Sequence, residues 1–315
     1  MKGRVASLLA AVLLATAARG DGAAPQQPAP QQPAACSLPL LASIDFSPTP
    51  EGMIALPGAV DGHGGGFLLD TGGLAGVLGW GTAKQLANPI ERSNVSGIFT
   101  GGTRLDFGVF ADRFELGPLA FPKVWFLVAP DRMMDANLIG EVQPHAISKV
   151  NFEIDFLKGK VNLFGASSCP GHDVYWTHEA YAQVPMSVDA AGHISVEAML
   201  DGKPMSVLID TGAQTSTMSL KAARHVFGID TDNPGLKAIG TANVNNMLSA
   251  ATYRWPFASL TFEGIEIRKP DIVILDTGKD SRDAEMIVGI GALRQLHLYI
   301  AYDEKTLYLT AAEAH

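Results

Sequence analysis

Two stretches of the sequence carry nearly the same phrase. FLLDTGGLAGVLGW begins at Phe67 and VLIDTGAQTSTMSL at Val207, and each runs three apolar residues into Asp-Thr-Gly. A carboxylate at the tip of an apolar strand, followed by Thr-Gly, is positioned by a tight loop in which glycine permits the turn and the close approach of a second backbone. Two such loops meeting around a pseudo-dyad place Asp70 and Asp210 within hydrogen-bonding distance. Like charges that close cannot both ionise, so the pair holds one proton over a wide pH range. One carboxylate then acts as base toward a shared water while its protonated partner polarises a carbonyl. That is the chemistry of peptide-bond hydrolysis without metal, thiol or serine, and it implies no cofactor.

The surroundings of the two phrases match as well. A given tripeptide is expected by chance in roughly one chain of this size in fifteen, but here five features recur in the same order. After each Asp-Thr-Gly comes a short helix-like piece, GTAKQLA or LKAARHVFG. A glycine-bearing hairpin candidate follows, SGIFTGGT at 96–103 and AIGTANVNN at 238–246. Next come a strand, KVWFLVA or DIVILD, and an apolar pair with glycine, Leu138-Ile139-Gly140 or Ile287-Val288-Gly289. Each half closes on an aspartate-bearing hairpin, NFEIDFLKGKVNLF or LYIAYDEKTLYL. Most of the chain is short runs of Val, Ile, Leu and Phe broken by Gly, Pro, Asn or Asp, which is an all-β pattern. A spacing of 140 residues between the aspartates suits two half-domains rather than a solenoid.

These residues resemble the aspartic proteases of the pepsin and retropepsin clan. The resemblance spans about residues 43 to 312, and with Ala213 after the second motif it is closer to a tandem retropepsin-like protein of bacterial type than to a digestive pepsin. It implies a two-lobed acid-protease fold of duplicated, β-barrel-like halves related by a pseudo-twofold axis. Asp70 and Asp210 would be catalytic, with Thr71 and Thr211 cross-bonding the loops and Gly72, Gly212 and Ser216 supporting them. The hairpins bearing Gly97, Phe99, Gly101 and Gly102, and Gly240, would be flaps over the substrate. The first half departs from the pattern: Gly73 replaces the usual Ala, Ser or Thr, and Gly76 stands where the second half has Ser216. Neither flap carries a tyrosine. Two readings stay open: an aspartic endopeptidase, active as a monomer on peptide or unfolded protein at mildly to strongly acidic pH, and a feeble relative that binds peptide or envelope material in the same cleft.

The start of the chain has another purpose. Residues 1–20 hold Lys2 and Arg4, an apolar run and small residues, the layout of a secretory signal peptide. Residues 21–42 form a Pro/Gln/Ala-rich spacer and arm, with PQQPA written twice. The expected division continues with a first lobe at 43–165, a linker at 166–184 and a second lobe at 185–315. Removing residues 1–20 takes away three positive charges (Lys2, Arg4, Arg19) and moves the formal charge from −9 to −12, which argues against nucleic acid or anionic membrane as partner. No later run is long enough for a membrane span, so a periplasmic or secreted location is expected. In such an oxidising compartment the two cysteines, Cys36 and Cys169, could pair or remain free thiols.

Several other stretches invite and fail a chemical reading. A third Asp-Thr-Gly at Asp276 falls outside the repeat and reads as a turn. His63-Gly64-Gly65-Gly66 has no Gly-x-Ser-x-Gly partner, and a hairpin turn feeding the first aspartate strand explains it better. His178-Glu179 is not completed to a zinc motif, no metal is implied, and surface or capping roles are the default for the histidines. Asn94-Val95-Ser96 fits a glycosylation acceptor, relevant only to a eukaryotic secretory route. Trp80 reads equally as cleft or core, and Phe99 as a cleft residue.

Overall fold

The computed structural model describes residues 37–73, 75–99, 103–135, 137–142, 150–168, 171, 173–245, 248–277 and 285–312. The expected signal peptide, most of the spacer, Cys36, Cys169, Gly101 and Gly102 lie outside these residues. Among the described residues no helix is long and apolar enough to cross a membrane.

The fold is all-β with two lobes, as the repeat predicts. Each catalytic-loop candidate is preceded by a hairpin built on Asp-Gly. Asp61-Gly62 (φ 46° and 84°) joins Ile54–Val60 to His63–Leu69, and Asp201-Gly202 (φ 47° and 73°) joins Ile194–Leu200 to Lys203–Ile209. Left-handed backbone at both central positions gives the turn a twist that matches the strands it connects. Both turn aspartates also accept backbone N–H bonds from the neighbouring strand region, Asp61 from Arg113 (2.8 Å) and Asp201 from Ala258 (2.8 Å) and Ser259 (2.9 Å).

In the first lobe six strands close on themselves in the order Ile54–Val60, His63–Leu69, Leu138–Val142, Val77–Gly79, Leu119–Ala129 and Thr103–Leu116, the last pairing back to the first. The second lobe repeats the central part with Lys203–Ile209, Met286–Val288, Ser216–Ser219 and Ile272–Asp276 side by side. Alternation drives the burial: along Ile194–Leu200, Ile194, Val196, Ala198 and Leu200 are buried while Glu197 and Met199 are exposed. Two short helices fall in or beside the expected segments, at Trp80–Ala83 and Leu220–Phe227, and a third lies at Ile290–Leu293. Leu220–Phe227 is capped by Ser219, whose Oγ accepts from Ala222 N–H at 3.0 Å, and ends on left-handed Gly228.

The two closing hairpins do not each stay within their own half. Asn151–Asp155 pairs with Leu296–Ala301, and the joined sheet runs Leu40–Asp45, Lys160–Phe164, Asn151–Asp155, Leu296–Ala301, Thr306–Ala311, Ala182–Val188. Strands therefore begin at Leu40 and Ala182, a few residues before the lobe boundaries expected from sequence. One histidine expected at the surface lies inside this sheet: His297, 5% exposed, sits 2.6 Å from Glu153 Oε1 and stacks on Trp176 at 4.2 Å. Glu153 Oε2 also accepts from Asn162 (2.7 Å) and Tyr175 (2.5 Å). A buried carboxylate needs such partners, and they join strands of both halves to the segment after residue 172.

The glycines of His63-Gly64-Gly65-Gly66 serve the strand, not the turn, which falls at Asp61-Gly62. A side chain at Gly65 would meet Ile139 at 2.6 Å, and one at Gly66 would meet the Asn137 carbonyl at 2.8 Å.

Candidate active site

Each aspartate loop hangs from a parallel strand pair. Asp70 N–H donates to the Val142 carbonyl (2.9 Å) and Asp210 N–H to the Val288 carbonyl (3.0 Å), so the apolar runs before them, buried at Phe67, Leu69, Val207 and Ile209, fix both loops from below. The threonines then tie loop to loop. Thr71 Oγ1 donates to the Ile209 carbonyl (2.7 Å) and accepts from Thr211 N–H (2.9 Å). Thr211 Oγ1 donates to the Leu69 carbonyl (2.6 Å) and accepts from Thr71 N–H (3.1 Å). Both side chains are fully buried.

This grip brings the carboxyls together. A methyl group on Gly72 would run into Asp210, and one on Gly212 into Asp70. Only glycine lets each carboxyl lie against the opposite loop. Asp70 Oδ1 accepts from Gly72 N–H at 2.9 Å, and Asp210 Oδ1 accepts from Gly212 (2.9 Å) and Ala213 (3.0 Å). Burial is the largest influence on both carboxyls and raises both pKa values. The charge of Asp210 raises Asp70 further, against the Gly72 and Gly73 amides, and Asp70 is pushed up to about 7. On Asp210 the Gly212 and Ala213 amides, the bond with Asp70 and the charge of His193 oppose the rise. The pair therefore holds a proton well above the ordinary aspartate range, with the charge of its partner adding to the rise at Asp70.

The first-half departures have steric reasons. A Cβ at Gly73 would stand 2.7 Å from Asp70 Oδ2, and one at Gly76 would stand 2.9 Å from the Phe126 ring. In the second half Ser216 Oγ accepts from Gly289 N–H at 3.1 Å. A phenyl ring thus occupies, beside Asp70, the space that a hydroxyl uses beside Asp210.

One sequence correspondence needs correction. Leu138-Ile139-Gly140 and Ile287-Val288-Gly289 read as equivalents, but the strand registers disagree. Leu68 pairs with Glu141 and Leu208 with Ile287, while Val77 pairs with Glu141 and Thr217 with Ile287. The structural counterpart of Ile287 is Glu141, three residues later than the motif suggests. A bulge between Gly66 and Phe67 absorbs part of the shift.

The carboxyl pair faces a cavity of about 630 Å³. Its described lining includes Leu68, Val77, Leu105, Leu127, Met53, Met133, Met134 and Leu138 beside three further acids, Glu51, Asp135 and Glu141. Burial first, then the charges of Asp70, Asp135 and Asp210, push Glu141 up to about 8. Asp135 is also raised, by burial and then by the charge and hydrogen bond of Glu51. Sequence reasoning missed these acids; a glutamate directly after the apolar-apolar-glycine run was the available signal for Glu141.

The two flap candidates are hairpins: Gly97 pairs with Leu105 and Phe99 with Thr103, and Lys237–Asn245 pairs with Leu248–Arg254, with Gly240 (φ 134°) at a register irregularity. Trp80 is neither core nor cavity lining; it is 36% exposed and packs edge-on against Phe107. Asp276, a turn by its sequence, is instead the exposed last residue of the otherwise buried or half-buried strand Ile272–Asp276, and it is not part of the described cavity lining.

Two lobes that each contribute one Asp-Thr-Gly loop to a single buried carboxyl pair define the aspartic-protease class of fold and site. The sequence profile of aspartyl proteases matches residues 56–141 and 196–291, once per lobe and over more than half the chain, and the chain belongs to that family. A search of curated proteins found no match. Among solved structures, an aspartic proteinase from Irpex lacteus is 15% identical with a TM-score of 0.52, covering 87% of this chain and 98% of its own. Basic 7S globulin from soybean is 11% identical with a TM-score of 0.48, covering 88% and 96%. A retropepsin-like aspartic protease from Rickettsia conorii is 20% identical with a TM-score of 0.33, covering 41% and 91%.

Replacing Thr211 by Val deletes two of the four loop-to-loop bonds and leaves a buried N–H and a buried carbonyl without partners. The expected loss is on the order of 2–4 kcal/mol in urea unfolding, with Thr211→Ser close to the parent.

Proposed function

We propose that the protein is an exported aspartic endopeptidase, acting as a monomer on extended peptide segments or unfolded protein in the periplasm or outside the cell. The observation that carries this reading is the buried Asp70–Asp210 pair, held by reciprocal threonine bonds and open to one cavity. A water between the carboxyls gives its proton to Asp210 as its oxygen attacks the peptide carbonyl. Asp70 gives its proton to the carbonyl oxygen, and the tetrahedral diol forms. Collapse of the diol breaks the C–N bond: Asp210 gives its proton to the leaving nitrogen while Asp70 takes a proton back from a diol hydroxyl, which becomes the new carbonyl, and the pair again holds one proton. No cofactor takes part. The flap hairpins bearing Gly97, Phe99, Gly101, Gly102 and Gly240 would close over the substrate, and Ser216 would steady the second loop through Gly289.

The reading sets the pH dependence. The pair works with one proton, and Asp70 loses that proton as pH rises through about 7. The rate therefore falls above neutrality, while the raised pKa of Asp210 places the acid limb above the ordinary aspartate value. Cleavage of an unfolded protein, followed from about pH 3 to pH 8, is expected to peak at mildly acidic pH, be blocked by pepstatin, and drop by at least about a thousandfold in Asp70→Asn and in Asp210→Asn. A folded parent inert over that whole range would overturn the reading.

Export also leads us to propose a Cys36–Cys169 disulfide. Support comes from their neighbours: Ser37 N–H donates to Ser168 Oγ (2.8 Å) and Ser168 N–H to the Ser37 carbonyl (3.1 Å). Protein from an oxidising compartment should label with a thiol reagent at both cysteines only after reduction; labelling of the unfolded chain without reductant would refute the bridge.

A further inference from the structure

The cavity beside the aspartate pair is not uniformly apolar, and the position of its odd member is informative. Leu68, Glu141, Val77 and Leu127 are direct neighbours on four adjacent strands, paired in that order. All four line the cavity, and the other three are buried aliphatic residues. Glu141 thus sits in the middle of an apolar row that forms one wall of the space in front of Asp70. Its neighbour Val142 points the other way into the core and supplies the carbonyl that anchors Asp70, so the wall and the aspartate loop share one strand.

Nothing in the described protein satisfies the Glu141 carboxyl. It has no hydrogen bond and no ion pair among the described residues, and its oxygens are not sealed in the protein but open to the cavity. The described lining contains no Lys, Arg or His to balance it. The counterpart in the other lobe is Ile287, so the two sides of the pseudo-dyad differ here: one apolar, one acidic. A substrate chain lying across the pair meets different walls on its two sides.

We infer that the pocket walled by Glu141 is a specificity subsite that takes a basic side chain, Lys or Arg, flanking the scissile bond. The aliphatic stem lies along Leu68, Val77 and Leu127 while the cationic head meets Glu141, with Asp135 and Glu51 toward the same cavity. The stem-and-head chemistry of Lys and Arg fits a wall that is apolar with one acid in it. The pKa of Glu141 is raised first by burial and then by the charges of Asp70, Asp135 and Asp210, and an entering cation beside Glu141 opposes that rise by favouring the ionised form. The inference rests on the endopeptidase reading for its meaning as specificity, but the binding preference stands by itself.

The test uses one peptide series that differs only at the residues flanking the cleaved bond, carrying Lys, Arg, Gln or Leu. For the full mature chain, kcat/KM is expected to favour Lys and Arg over Leu by about tenfold or more, and Glu141→Gln should reduce that ratio by about tenfold. A structural role would lower all peptides in parallel. Calorimetric binding of the Lys and Leu peptides to Asp210→Asn, with and without Glu141→Gln, separates the two readings. Tighter Lys-peptide binding that depends on Glu141, together with a folded parent that cleaves none of the peptides, supports the subsite while the endopeptidase reading falls. Equal treatment of Lys and Leu by the parent, in cleavage and in binding, overturns the subsite whatever the fate of the variants.

Discussion

The structure depends on four hydrogen bonds exchanged between Thr71 and Thr211 and the backbones of the opposite loops. They are fully buried, so water cannot replace them, and losing one partner strands the other. Two of them tie a threonine hydroxyl to the strand end of the opposite lobe, at Ile209 and Leu69, and two tie it to the opposite threonine N–H, which fixes the distance between two carboxyls that would otherwise repel. The repulsion is accommodated by a proton rather than by separation, and the pKa of Asp70, raised first by burial and then by the charge of Asp210, reflects this. Everything outside the loops serves the grip. The parallel strand pairs hold each loop from below, and the sheet that interleaves both closing hairpins holds the lobes in register.

Pseudo-symmetry is strict at the grip and relaxed around it. The Asp-Gly hairpins, the aspartate anchors to Val142 and Val288, and the threonine bonds all come in matched pairs. Beyond them the lobes diverge: Phe126 fills the space that Ser216 uses, and Glu141 replaces Ile287. Backbone geometry that sets the carboxyl pair tolerates little change, whereas the walls of the cavity can vary without disturbing it. A duplicated fold can in this way keep one chemistry and present a substrate with two unlike sides.

Much of this was legible in the sequence because it is local. Asp-Thr-Gly after three apolar residues, the hairpin candidates and the short helices each depend on neighbours in the chain, and all lie where their patterns put them. What depended on register was not legible. The match of Leu138-Ile139-Gly140 to Ile287-Val288-Gly289 follows residue type, but a bulge at Gly66/Phe67 and the pairing of Leu68 with Glu141 decide the true equivalence. Likewise Gly76 looks like a missing hydroxyl until Phe126, fifty residues away, is seen against it. His297 reads as a surface residue because Glu153, Tyr175 and Trp176, its surroundings in the joined sheet, come from distant segments. Gly65 and Gly66 look like turn glycines for the same reason, since the contact they permit is with Asn137–Ile139.

The central claim is that the two carboxyls behave as one unit around a shared proton. Infrared spectroscopy of protein labelled with 13C at the aspartate carboxyls reads this directly, with the Asp70→Asn difference spectrum isolating the Asp70 band. The account predicts a protonated Asp70 carboxyl that persists through mildly acidic pH and disappears near pH 7, and whose midpoint falls when Asp210 is replaced by Asn, because a charge that raises it has gone. An Asp70 band that titrates at the ordinary aspartate value, or one indifferent to Asp210, would mean that the two loops hold separate acids and would contradict the account.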